Sequence, residues 1–172
     1  MTHPARRRFL HWTLAATAAA ALTACGGGDD DPAPDVVRVA QSDPRFSILV
    51  EAVVAAGLAA TLQGPGPFTV FAPTDAAFAA LLSELGISKQ ALLADTALLT
   101  QVLTYHVVPA RVLAAQIPVG TPITTVQGQS FTISPALQIT DQRGRVANIT
   151  ATDLLASNGV IHVIDRVLLP AA

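Results

Sequence analysis

From residue 36 onward the apolar positions fall into two regimes, helical spacing first and strand-like alternation later. Phe46, Leu49, Val50, Val53 and Val54 follow at steps that place them on one face of a helix. Asp43-Pro44 supplies its start, the carboxylate as N-cap and the proline in the first turn, and Gly57 supplies its end. Gly64-Pro65-Gly66-Pro67 then breaks the chain, and Phe68-Thr69-Val70-Phe71 reads as a short strand. A second helix follows, capped by Thr74 or Asp75, with Phe78, Leu81 and Leu82 on its apolar face and Gly86 after it. Ser88 or Asp95 caps further turns, and Leu99, Val102, Leu103 and His106 continue a helical stripe that Pro109 stops.

The second half changes period. Ile123 to Val126, Ser130 to Ile133, Leu137 to Thr140 and Val146 to Thr150 read as short strands, with Gly128 and Gln142-Arg143-Gly144 as turns. Asn158-Gly159 suits a tight turn, and Val160 to Leu169 is the longest strand candidate, closed by Pro170. Helices first and strands later predict an α+β fold rather than a parallel sheet of alternating units. There is no internal repeat.

The first 35 residues follow neither pattern. Arg6, Arg7 and Arg8 precede an uncharged, Ala-rich run from Trp12 to Ala24, too short to span a bilayer as a helix. Residues 1–24 therefore read as an export signal. Leu22-Thr23-Ala24-Cys25 resembles the lipobox of bacterial lipoproteins, in which the cysteine is acylated and cleavage precedes it. Arg6-Arg7-Arg8-Phe9-Leu10-His11 also resembles the twin-arginine export motif, with Ala5 and His11 departing from its usual residues, so both export routes stay open. Residues 25–35 form the acylated Cys25 and a Gly/Asp/Pro tether without a large apolar side chain. The domain occupies 36–171.

Charge narrows the partners. Without Arg6, Arg7 and Arg8, seven basic residues face twelve acidic ones, a formal charge of −5 of which Asp29, Asp30, Asp31 and Asp35 in the tether carry most. No basic stretch marks a nucleic-acid surface. Cys25 is the only cysteine, so the fold rests on packing and hydrogen bonds rather than on an internal disulfide. No Gly-x-Ser-x-Gly, His-Glu-x-x-His or glycine-rich phosphate loop occurs, and His106 and His162 lack metal-ligand spacing. The sequence implies no cofactor.

Three segments, Gly66 to Phe78, Leu99 to Val108 and Ala156 to Asp165, together resemble the fasciclin-like domain family, in its order and at its spacing. The resemblance spans residues 36–171. It implies a wedge-shaped β-sandwich with flanking helices packed mainly from the N-terminal half, and a role in adhesion without catalytic machinery. It also implies candidate contacts. Tyr105-His106 matches a tyrosine–histidine pair implicated in adhesion in animal members, although the helical stripe makes His106 a core residue first. Asp153-Leu154 matches an Asp–Ile pair in a proposed integrin-binding stretch, but Ala151 and Thr152 replace the Asn and Lys that usually precede it. Asp153 can equally serve local turn hydrogen bonds.

The expected function is a non-catalytic adhesion or protein-interaction module on the extracytoplasmic side of a bacterial envelope, held to the membrane by lipid at Cys25. Its partner would be an unknown protein or a surface glycan. The alternative is a periplasmic envelope-maintenance lipoprotein that binds a glycan or small ligand, and a hydrolase is a third reading. A concave pocket with convergent polar groups would favour the alternative.

Overall fold

The computed structural model describes residues 33–171; the expected signal, the lipobox and the tether up to residue 32 lie outside them. The described chain begins with a helix that helical periodicity alone does not announce. Asp35, expected as the last residue of the tether, accepts the Val37 and Arg38 N–H groups at 2.9 Å each and so N-caps α1, Val36–Ser42. Pro34 accepts the Ser157 N–H through its carbonyl.

Asp43 caps a single 3-10 turn, Pro44–Phe46, which runs into α2, Ser47–Ala55. The helix ends as Gly57 predicts. Gly57 has φ 69°, its N–H reaches Val54 O and the Leu58 N–H reaches Val53 O, which makes a Schellman motif. A short α3, Ala59–Leu62, precedes strand β1, Phe68–Pro73. Thr74 starts α4, Asp75–Leu85, and Ser88 and Asp95 are both used, each for its own helix: α5, Lys89–Ala94, and α6, Thr96–Tyr105.

The remaining strands are β2 (Val107–Val108), β3 (Ile123–Thr124), β4 (Ser130–Ile133), β5 (Gln138–Thr140), β6 (Val146–Ala156) and β7 (Gly159–Ile164). Their order is β2-β1-β7-β6-β5-β4-β3, antiparallel throughout except for the parallel pair β1/β7. The fold is thus α+β with a mixed sheet. The sheet curls back on itself, because just beyond β3 Val126 N–H bonds Val107 O at 2.8 Å and Gln127 N–H bonds Thr104 O at 3.2 Å. This closure is barrel-like and shelters the two short terminal strands.

Two apolar cores flank β1 and β7. Val70, Ala72, Ile161 and Val163 pack against the helices, with Phe46, Phe78, Leu99 and Leu103. Phe71 and Ile164, on the opposite face, pack inside the curl with Tyr105, Phe131, Ile133, Ile139 and Leu168. Both strands are therefore buried on both sides.

The largest departures from the expected strand limits are in β6 and β7. β6 continues to Ala156 through register shifts between Ile149 and Leu154, where Asp153 adopts φ 57°. The last strand stops at Ile164, although Val167, Leu168 and Leu169 are buried. Beyond it the backbone leaves the ladder and finds side-chain acceptors instead. Leu168 N–H bonds His106 Nε2, Leu169 N–H bonds Asp141 Oδ2 and Ala171 N–H bonds Gln129 Oε1.

Candidate functional site

The tyrosine–histidine pair ends α6 on the side of the sheet core. Tyr105 is fully buried, edge-on to Phe131 with ring centroids 6.0 Å apart. Its hydroxyl donates to Ser130 O at 3.0 Å and accepts the Gln142 N–H at 3.3 Å. Burial pushes the phenol up to about 12, so it remains a neutral donor.

His106 is only 2% exposed. Its Nδ1 lies 2.6 Å from Val102 O, and its Nε2 accepts the Leu168 N–H at 2.9 Å. A nitrogen that accepts a hydrogen bond holds no proton, so the ring is the neutral tautomer with Nδ1–H donating to Val102 O. Burial pulls its pKa down to about 4, against the favourable Val102 carbonyl and a nearby Asp141. Neither ring offers a surface to a docking partner. The pair instead joins α6 to the C-terminal segment and to the β4–β6 region.

Asp153 and Leu154 lie elsewhere, at the bulge of β6. The Asp153 side chain is exposed and its Oδ1 accepts the Ala114 N–H at 2.9 Å, fastening the loop after β2. Its backbone N–H meets Nδ1 of the buried His162 at 3.3 Å, and Nε2 of His162 lies 2.9 Å from Val112 O. His162 also packs against Phe71 with ring centroids 5.4 Å apart. Leu154 is half-buried against the helical core. No hydrogen bond joins Asp153-Leu154 to Tyr105-His106 among the described residues. Of the four candidates, only Asp153 presents its side chain freely to solvent.

Three polar residues organise this fold through partners that sequence reasoning missed. Asp75 is not the N-cap of its own helix, which is Thr74. It reaches across to the start of α2, accepting the Ile48 N–H at 2.8 Å and the Ser47 hydroxyl. Asn158 accepts the Val36 N–H, donates to Leu62 O and Gly64 O through its amide, and accepts the Phe68 N–H through its carbonyl. Asp141 is 5% exposed, and its carboxylate accepts the N–H groups of Arg143, Arg145 and Leu169. The turn preceding Gly144 hinted at this last role, since Asp commonly bonds backbone two residues on; nothing local hinted at the other two.

Among the described residues, no three His, Cys, Asp or Glu side chains lie close enough together to hold a metal ion. No buried side-chain polar atom there lacks a partner. No described helix is long and apolar enough to cross a membrane. A cleft of 230 Å³ lies between α4, α5 and α6, apolar except for Arg143.

The family model for the fasciclin domain matches residues 44–170. The chain belongs to the fasciclin domain family. Synechocystis protein sll1483 is 44% identical over 143 residues, covering 81% of this chain and 76% of that protein. Pig transforming growth factor-beta-induced protein ig-h3 is 38% identical over 138 residues, 80% of this chain but only 19% of that longer protein. The solved fasciclin domain pair of the insect cell adhesion molecule fasciclin I superposes with a TM-score of 0.68 at 18% identity, over 79% of this chain and 51% of that one. The chain thus spans about half of that pair. Fasciclin domains are generally extracellular adhesion or interaction modules without catalysis.

Proposed function

We propose that this fasciclin domain is a non-catalytic adhesion or protein-interaction module on the extracytoplasmic side of a bacterial envelope, tethered by lipid on Cys25. Its partner is an unknown protein or a surface glycan. Membership of the fasciclin family over residues 44–170 carries the reading. The lipobox Leu22-Thr23-Ala24-Cys25 supports the anchor, since two or more acyl chains hold a protein stably where one is marginal. The buried Tyr105 and His106 support it indirectly: recognition falls to exposed surface, and the pair holds the scaffold that presents it.

Membrane fractionation of the wild-type chain and Cys25→Ala, without detergent, tests the anchor. The wild type should sediment with membranes and the variant should be released; equal retention of both removes the lipoprotein reading. Crosslinking and capture from intact cells then tests the module. A specific envelope protein or glycan recovered with wild type is the expected result, and recovery of a turned-over small molecule would instead point to catalysis.

A further inference from the structure

We propose that the cleft between α4, α5 and α6 is a binding site for a small apolar carboxylate, such as a medium-chain fatty acid, with Arg143 holding the acid group. Its walls are Phe78 and Leu81 from α4, Leu92 from α5, Leu99 and Val102 from α6, and Leu169 from the C-terminal segment. Its volume of 230 Å³ exceeds the roughly 150 Å³ that suffices to hold benzene in a dry apolar cavity. An apolar tail placed there would leave water for a surface that offers it no polar competitor.

The single charged lining residue sets the ligand's head group. Arg143 is fixed at the tip of the turn between β5 and β6: its N–H bonds Asp141 Oδ1 at 2.9 Å and its Nε–H donates to Pro170 O at 2.8 Å. Nε being taken, the two terminal amino groups remain, and they engage no protein acceptor among the described residues. They form a fork whose spacing suits one carboxylate end-on. Neighbouring cations are occupied, since Arg145 and Arg166 both pair with Glu84 at 2.6 Å. The nearest buried carboxylate, Asp141, is committed to three backbone N–H groups. Arg143 is thus a held cation, without a protein counter-ion, at the edge of an apolar cleft. A glycan or a phosphodiester would need several polar partners, and this cleft supplies one.

Isothermal titration of the full chain with octanoate and, separately, with 1-octanol tests the proposal. The two probes share a tail and differ in charge. Octanoate should bind at least tenfold more tightly than octanol. Arg143→Gln should bring octanoate down to the level of octanol while leaving octanol unchanged. Leu85→Trp, placed where the cleft opens and Leu85 is 43% exposed, should weaken both. Equal binding of the two probes by the wild type, or binding of neither, overturns the proposal without reference to any variant. So does an Arg143→Gln chain that keeps its preference for octanoate.

Discussion

At the scale of the residue, His106 connects acidity to stability. The folded ring is neutral with a pKa near 4, below the ordinary value of 6.5, so the unfolded chain binds more protons between those limits. Its contribution is complete above about pH 6.5 and is lost as the pH falls toward 4, a span worth about 3 kcal/mol. At neutral pH, His106→Ala removes the acceptor of the buried Leu168 N–H and should cost about 1–3 kcal/mol for that donor, with packing loss added. Urea denaturation of both chains at pH 7 and pH 4.5 checks each part: the gap between them should narrow at the lower pH. A variant of wild-type stability that no longer binds its partner would make His106 a recognition residue instead. Asp153 carries less. Its side chain makes one exposed hydrogen bond and its φ of 57° disfavours alanine, so Asp153→Ala should cost about 1–2 kcal/mol. Asp153→Gly should cost less than Asp153→Ala, because glycine adopts that backbone freely; the reverse order in the same denaturation series would show that the side chain, not the backbone, matters there.

At the scale of the element, the hairpin β6–β7 is pressed against the entry to β1. Ala156 pairs with Gly159, so Ser157 and Asn158 form the turn and Gly159 opens β7. Gly159 is needed for approach rather than for a left-handed turn: a Cβ there would sit 2.2 Å from Phe68 O. Gly66, on the facing segment, is confined in the same way, 2.0 Å from Asn158 O. Backbone atoms cannot rotate aside, so Gly159→Ala should cost about 3 kcal/mol, the upper end for overpacking. Gly57 provides the contrast, with φ 69° and open space around its missing Cβ. Asparagine at 57 should recover most of what alanine loses there, since it tolerates left-handed backbone, whereas asparagine at 159 should recover nothing. Thermal melts of the four single variants read this out directly.

At the scale of the whole molecule, β1 and β7 bind the two cores into one unit. Alternate residues of each strand belong to opposite cores, so neither core can open without exposing the other. Residues 33–172 should therefore unfold in a single cooperative transition, followed by circular dichroism because Trp12, the only tryptophan, lies outside this fragment. Two separated transitions would mean that the helical layer and the curled sheet fold independently. The C-terminal segment belongs to this unit too. Val167, Leu168 and Leu169 are buried, and the backbone donors of Leu168, Leu169 and Ala171 are held by His106, Asp141 and Gln129.

Local rules made much of this legible in the sequence. The helix caps at Asp43, Thr74, Ser88 and Asp95 act within a few residues, as does the glycine end at Gly57. The three family segments were enough to identify the α+β domain. Tertiary structure decided what those rules cannot reach. Asp75 serves a helix start 27 residues away, Asp141 a backbone donor 28 away, His106 one 62 away and Asn158 a carbonyl 96 away. It also ended β7 at Ile164 although apolar residues resume at Val167 to Leu169 beyond Asp165 and Arg166, and there the backbone donors find acceptors on side chains distant in sequence. A hydrophobic pattern reports that a segment is buried; only the folded chain shows which polar partner meets it there.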